Sequence, residues 1–471
     1  MNALESPFLT FPQIARLAGG DLVVREVPGE ATAREAWLRA GVGGVSIDTR
    51  TLAAGDLFVP LRGEHADGHR FVVEAFARGA AASLCERSAY PAFEGREPGP
   101  LVVVDDATVA LQRLAQRYRE DWHGLLLGIT GSAGKTTTKD LVAAVMATGA
   151  PTLKTVGNLN NHWGVPLTLL RLRPEYQAAV VEMAMSAAGE IAALAAIAKP
   201  GGAVITNAGS AHLGGTGLGS LDAIAAEKAS LARALPAGAP LFTGADSPRL
   251  LVALAGTHAR LIRYGLAADA EVRPSRLEDL GAAGTRIEVA GFPPAHLHLV
   301  GRHQVANALA AFAVAREWKL DPAACVRAIE AYRPGFGRMQ VRHARGATLL
   351  LDHYNANPDS TGAALETLAA IPAGRRIAVL GDMLELGPEA AALHRSAGAA
   401  VRDAEVWTVG GHAEDWLAGA RSVGIAARAF ADKPELAVAL RDALAPDLVV
   451  LLKASRGAGL EDVLAGLELE D

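Results

Sequence analysis

GITGSAGKTTT, residues 128–138, decides how this chain is read. It follows a short apolar run, Leu125–Thr130, and precedes a helical pattern over Lys135–Ala147. A buried strand, a glycine-rich turn and a helix, in that order, is how parallel α/β sheets hold phosphate. Gly131 and Gly134 allow backbone N–H groups to come close to phosphate oxygens, and the helix N-terminus adds partial positive charge. Lys135 would reach the terminal phosphates, and the Thr136 hydroxyl would take a Mg²⁺. The strict pattern G-x-x-x-x-G-K-[ST] needs glycine at 129, where Ile129 stands; G-x-x-G-K-T is what is present. The alternative is a structural turn capped by a threonine run.

Outward from this loop the chain reads as three blocks. The first, 1–122, holds strand candidates Leu57–Leu61 and Leu101–Val104 and a helix-period stripe over Ala107–Arg119. The second, 123–334, adds strands at Ala178–Ala184 and Ala203–Asn207 with an Ala-rich helix between them. The third, 335–471, follows Arg333-Pro334-Gly335-Phe336-Gly337, a plausible hinge. It alternates strands at Thr348–Tyr354, Ile377–Gly381, Glu405–Val409 and Leu448–Lys453 with helical segments. Strands alternating with helices predict an α/β fold with parallel sheets.

Composition agrees. At 471 residues the chain suits about two to four domains of ~100–200 residues. It is 50% hydrophobic and 20% charged, which excludes a disordered chain. The net charge of −6 gives no global basic field for nucleic acid or anionic membrane. Two distant cysteines, Cys85 and Cys325, make no disulfide framework and suit a reducing compartment. Met1–Thr10 has no basic segment before an apolar run, and no apolar stretch approaches the ~20 residues of a membrane helix. A soluble, cytoplasmic protein is expected.

A phosphate loop does not say what is done with the phosphate; its companions must. Glu182 ends the apolar run AAVVEMA, where a carboxylate is costly to bury unless paired or metal-bound. His212 lies in NAGSAHLGGTG after the next strand. Loops at the carboxyl ends of parallel strands converge on ligands, so Thr136, Glu182 and His212 are candidates for one or two Mg²⁺. The bland alternatives are a strand-end carboxylate facing solvent and a satisfied loop histidine. The chain has eight lysines against 37 arginines, so each lysine stands out. Lys228 sits in an Ala-rich helical segment, Ser220–Ala234, and from the residues alone it reads as a side chain snorkelling off an apolar face.

The chain resembles the Mur ligases of peptidoglycan synthesis over nearly its whole length. The resemblance rests on SIDTR (46–50), GDLFVPLRGEHADGHRF (55–71), the phosphate loop and TVGNLNNHWGVPLTLLRL (155–172). It continues through VEMAMSAAGEI (181–191), VITNAGSAHL (204–213), Lys228 and GRHQVANALAA (301–311). LDHYNANPDS (351–360), LGDMLELG (380–387) and KASRG (453–457) complete it. NLNN, YNANP and GDMLELG are the most specific. They resemble the member that adds D-alanyl-D-alanine to UDP-N-acetylmuramoyl-tripeptide, rather than those adding the first three amino acids.

The resemblance implies three α/β domains: a UDP-substrate domain, a central ATP-binding domain of P-loop type, and a Rossmann-like C-terminal domain that closes on ATP. It implies an ATP-dependent ligase acting through an acyl phosphate, with small-molecule substrates, no nucleic acid, no membrane insertion and a monomeric state. Thr130, Gly131, Ser132, Ala133, Gly134, Lys135, Thr136 and Thr137 would cradle ATP, with His303 and Asn307 bordering the adenine. Arg338, Asp352 and Tyr354 would close over the nucleotide. Asp48, Thr49, Arg50 and Gly63 would hold the uridine nucleotide, and Asn158, Asn160 and Asn161 the muramoyl peptide. Asn355, Asn357, Lys453, Ser455 and Arg456 would meet the dipeptide. In the family the lysine matching Lys228 is carbamylated by CO₂. That would make Lys228 a Mg²⁺ ligand beside Thr136, Glu182 and His212, with Lys135, Lys228, His212 and Glu182 as the catalytic set.

Four positions depart from the family pattern: Ala184 for Gly, Gly214 for Glu, His353 for Ser and Ala454 for Gly. Three rival functions stay open at this point: another ATP-dependent amide ligase such as a folylpolyglutamate synthase, a P-loop ATPase without an acceptor, and a nucleotide-binding scaffold. Gly457-Ala458-Gly459 lacks the third glycine of a dinucleotide fingerprint, and His65 and His69 lack the glutamate of a zinc-protease helix.

Overall fold

The computed structural model of the chain describes residues 8–24, 39–63, 66–210 and 218–470. It is a mixed α/β fold, as the alternation of apolar runs and helical periods predicts. The described residues form two compact units. One comprises 1–126, 153–183 and 193–199; the other comprises 127–152, 184–192 and 200–471.

The chain begins with β1 (Leu9–Thr10), β2 (Asp21–Val23), β3 (Gly41–Val42), β4 (Val45–Ser46), β5 (Leu57–Phe58), β6 (Ala82–Glu86) and β7 (Leu101–Val104). Five of these form a sheet in the order β2-β7-β6-β5-β4, parallel except at the β2–β7 edge. β5 is shorter than the 57–61 run predicts. Val59 N–H still donates to Ser46 O, but Pro60 has no N–H to continue the ladder. The helix Ala107–Glu120 is capped by Asp106 and buries Ala107, Ala110, Leu111, Leu114 and Ala115, the predicted stripe. Cys85 is buried, and that burial pushes its thiol up to about 11.

The middle of the chain supplies β8 (Leu125–Thr130), β9 (Thr152–Lys154), β10 (Ala178–Glu182), β11 (Gly202–Ile205), β12 (Pro240–Gly244) and β13 (Arg260–Tyr264). β9 and β10 belong to the first unit. In the second, β13-β12-β11-β8 lie side by side, all parallel, with Ile205 opposite Thr130. Against them pack the helices Lys135–Met146 and Arg302–Glu317. The latter buries every residue from Ala308 to Ala315, which its small side chains allow.

β14 (Pro274–Asp279), β15 (Thr285–Val289) and β16 (Ala295–Leu297) form an antiparallel sheet that sequence patterning did not single out. Arg276, Glu278, Arg286 and Glu288 interrupt its apolar positions, and Arg286 pairs with Glu278 at 3.3 Å. The last sheet contains β17 (Gln340–Ala344), β18 (Ala347–Asp352), β19 (Arg375–Leu380), β20 (Glu405–Thr408), β21 (Ala427–Ala429) and β22 (Leu448–Lys453). Its order is β17-β18-β22-β19-β20-β21, parallel apart from the β17 edge. Alternate residues feed two cores. Leu350, Ala378, Leu380 and Leu451 face one side; Leu349, Leu351, Val379 and Leu452 face the other. Asp352 and Lys453 end up opposite each other where β18 and β22 finish. That is the edge at which open parallel sheets bind ligands.

Candidate active site

Thr130 closes β8 and is fully buried; among the described residues its Oγ1 has no hydrogen-bond partner. A buried hydroxyl left unpaired one residue before a glycine turn suits a ligand that completes it. Gly131 has φ 155°, and a Cβ there would overlap Thr206 Oγ1. Gly134 has φ 78°, in the left-handed region, and a Cβ there would overlap Asn307 Oδ1. The 135–146 helix begins at the next residue, so its first-turn N–H groups have no partner within the helix. Lys135 Nζ folds back over the turn and donates to Gly131 O at 2.8 Å. Thr136 and the buried Thr137 lie in that first turn. Glycine cradle, helix start and overarching lysine together fit a polyphosphate.

The loop is braced from β11. Asn207 Oδ1 accepts from Ser132 N–H at 3.2 Å and from Ala133 N–H at 3.0 Å, and Asn207 Nδ2 donates to Ala133 O at 3.1 Å. Thr206 Oγ1 donates to the same carbonyl at 2.7 Å. Ser132 Oγ accepts from Gly209 N–H at 2.8 Å and donates to Gly209 O at 3.1 Å. Asn307, buried on the 302–317 helix, accepts from Thr138 Oγ1 at 3.1 Å and donates to Gln304 at 2.9 Å. It therefore ties that helix to the one carrying Lys135. His303, at the start of the same helix, has its pKa lowered by burial.

Lys228 does not snorkel. It lies on the helix Leu221–Arg233 with 1% of its surface exposed. Burial, with the Lys135 ammonium adding to it, holds its amine well below the usual lysine range. Its neighbour Glu227 accepts from Gly189 N–H and Ile191 N–H, both at 2.9 Å, and so fixes the helix against the start of the helix Glu190–Ala198. Glu182 does not face solvent either. It is buried at the end of β10, where Oε1 accepts from Asn160 Nδ2 at 2.8 Å and its N–H donates to Thr155 Oγ1 at 3.0 Å. Asn161 Oδ1 accepts from the Trp163 and Gly164 N–H groups. Asn158 is exposed in the turn before it. His212 and Gly214 lie outside the described residues. Among the described residues no three acidic, His or Cys side chains cluster as a ready-made metal cage.

At the C-terminal edge of the last sheet, Lys453 Nζ pairs with Asp352 at 2.7 Å and donates to Asn355 O at 2.6 Å. Both lysine and aspartate are largely buried. The Arg338 guanidinium lies 3.8 Å from the Tyr354 ring centre, and Arg456 lies 5.1 Å from it. Ser455 Oγ donates to Ala356 O at 3.2 Å and accepts from Leu384 N–H at 2.9 Å, tying the 380–387 segment to the 353–357 turn. Asn357 caps the helix Pro358–Ala370. His353 is buried edge-on to Phe336, with neither ring nitrogen hydrogen-bonded among the described residues. Ala454 is buried against Gly381.

In the first unit, the Arg50 fork is turned onto its own neighbour. Nε lies 3.0 Å from Asp48 Oδ1 and Nη2 2.6 Å from Oδ2, which holds the Asp48 carboxyl below its ordinary range. Thr49 is buried between them, and Gly63 N–H donates to Ala66 O. His69 accepts from Glu86 N–H and pairs with Asp67, a structural role; His65 lies outside the described residues.

Residues 41–119, 129–315 and 337–456 match, in turn, the Mur ligase family catalytic domain, the Mur ligase middle domain and the Mur ligase glutamate ligase domain. A protein of Bacillus subtilis (strain 168) named UDP-N-acetylmuramoyl-tripeptide--D-alanyl-D-alanine ligase is 35% identical over 434 residues, covering 90% of this chain and 93% of its own. The chain belongs to the Mur ligase family. Among solved Mur ligases, MurF from Acinetobacter baumannii superposes with a TM-score of 0.84 at 27% identity, over 97% of this chain and 98% of that one. MurF ligase from Thermotoga maritima in complex with ADP gives 0.79 at 28% identity, over 89% of this chain and 96% of that one.

Within this Mur ligase, sequence reasoning passed over Thr206, Asn207 and Gly209. Thr206 and Asn207 read as the end of a strand and Gly209 as loop, yet all three brace the phosphate turn. Their signal was present in the family string VITNAGSAHL, which drew attention to His212 instead.

Proposed function

We propose that this Mur ligase joins D-alanyl-D-alanine to UDP-N-acetylmuramoyl-tripeptide with ATP, giving the pentapeptide precursor of peptidoglycan, ADP and phosphate. The observation that carries this reading is the braced glycine cradle under Lys135. It sits in a chain whose relative with that activity in its name spans nine-tenths of it. Residues 1–122 would take the uridine nucleotide, 123–334 ATP, and 335–471 the nucleotide's outer face and the dipeptide.

A carboxylate at neutral pH is a poor electrophile. Transfer of the γ-phosphoryl group of ATP to the tripeptide carboxylate gives an acyl phosphate. The dipeptide amine then attacks the acyl carbon and phosphate leaves. The protein's part is positioning and charge neutralisation. Lys135 and the 130–137 turn hold the phosphates, and His303 and Asn307 border the base. Arg338, Asp352 and Tyr354 close over the nucleotide, while Asn355, Asn357, Lys453, Ser455 and Arg456 receive the dipeptide. Asp48, Thr49, Arg50 and Gly63 hold the uridine nucleotide; Arg50 would exchange Asp48 for the diphosphate, which its planar fork suits. Asn158, Asn160 and Asn161 meet the muramoyl peptide.

Thr136 and Lys228, the latter as its carbamate, would hold Mg²⁺, with Glu182 and His212 assigned to it by the family likeness, and the ion would supply charge to offset the phosphoryl group. Lys228 fits that modification, because only a neutral amine adds to CO₂ and burial favours the neutral form here. An arginine could not serve. No helix among the described residues is long and apolar enough to cross a membrane.

The test is phosphate release with the UDP-tripeptide and D-Ala-D-Ala supplied singly and together. Release only with both is expected. Release without the acceptor would mark an ATPase, and no release under any condition a scaffold. Gly134→Ala is a second check. A left-handed backbone at a non-glycine costs about 1–3 kcal/mol, and the new methyl meets Asn307. The KM for ATP is expected to rise roughly tenfold or more, with kcat less affected.

A further inference from the structure

Asp359 has no role in the reaction described so far. It stands in the first turn of the 358–370 helix, where the helix dipole favours a carboxylate. Its Oδ2, however, reaches out of that helix and accepts from both the N–H and the Oγ of Ser210, the latter at 2.8 Å. Ser210 is buried. Gly209 leaves the room for this: a Cβ there would overlap Asp359 Oδ2. Gly209 in turn exchanges two hydrogen bonds with Ser132 of the phosphate turn.

On its other side, Asp359 is two residues from Asn357 and four from Asn355, whose carbonyl holds Lys453. A short path, part backbone and part hydrogen bond, thus runs from the 355–357 turn along the chain to Asp359, across to Ser210, back one residue to Gly209 and across to Ser132. We infer that Asp359 is a positioning residue that sets the spacing between the dipeptide-receiving turn and the phosphate turn. The inference rests on the ligase reading above. When that spacing is lost, water rather than the dipeptide amine attacks the acyl carbon. Phosphate leaves, the tripeptide acid is regenerated, and ATP has gone to ADP without an amide bond.

The experiment counts phosphate and amide product together, in the full-length protein with all three substrates. The unsubstituted protein is expected to release one phosphate per amide. Asp359→Ala is expected to lower kcat for amide formation by roughly 10- to 100-fold, the scale of a small misplacement of reacting groups. Phosphate per amide should rise clearly above one, with the KM for ATP within about twofold. Asp359→Asn keeps an acceptor oxygen for Ser210 and is expected to stay within about threefold with coupling intact. Gly209→Ala displaces the carboxylate without removing it and is expected to uncouple as Asp359→Ala does. One phosphate per amide in Asp359→Ala at unchanged kcat would overturn the inference. So would a proportionate fall of both products alongside a lowered Tm. Absence of amide from the unsubstituted protein would instead defeat the ligase reading itself.

Discussion

Lys135→Ala is expected to abolish ligation while leaving the fold in place. The Lys135 ammonium stands over the turn proposed to receive the phosphates and donates to Gly131 O. Without it, charge developing on the transferred phosphoryl group would lose a fixed cation. Removing one such preorganised donor costs about 3–4 kcal/mol, so kcat should fall by roughly 10²- to 10³-fold. Gly131 O turns to water at small cost, and the Tm should stay within a few degrees. Lys135→Arg should not restore activity, because the longer planar head does not fit the same point. Steady-state ligation with a parallel thermal melt decides the matter; retained turnover in Lys135→Ala would falsify the assignment of this loop.

The second large effect is at Lys228. Lys228→Ala is expected to lose activity as severely, and a short added carboxylate should restore part of it by supplying the missing anionic oxygens. Lys228→Arg should stay inactive and lose stability, since a guanidinium remains charged in a site that is 1% exposed. The pH dependence has a definite sign. Burial lowers the amine's pKa below its ordinary 10.5, so folding favours the neutral amine where the unfolded chain favours the ammonium. Carbamate forms from the neutral amine with release of a proton, so acidification should discharge it. Activity should fall as pH drops, and added bicarbonate should oppose the fall. In the unmodified chain the unfolded state binds the extra proton below 10.5. Stability should therefore rise with pH towards that value, relative to Lys228→Met. A flat difference between the two melting curves, or no rescue by any carboxylate, would count against this account.

How much of this was legible in the residues depends on where the partners lie. The phosphate turn is consecutive, so its chemistry is written in one string. Glu182 was legible as a carboxylate closing an apolar run, because burial there demands a partner, and Asn160 is one. Lys228 was legible only through the family likeness. By residue type a lysine among alanines reads as a surface side chain, and its burial is what the fold adds. Asp359 was out of reach because its partner Ser210 is 149 residues away. The strands β14 to β16 lack the continuous apolar run that marks the buried strands, and the alternation of β15, Thr285–Val289, is only five residues long. The Arg50 fork, apt for a diphosphate by its chemistry, turned out to rest on Asp48 two positions earlier, a local contact that residue type alone does not disclose.

Asn207 and Thr206 hold the Ser132–Ala133 backbone with hydrogen bonds from within the chain. A receptacle moulded in advance spends no time waiting for its walls to gather, so capture should run at the ordinary pace of diffusive encounter. It also forfeits little freedom on loading. The same stiffness makes it intolerant: analogues whose oxygens are spaced or branched differently along the phosphate chain find no wall willing to move.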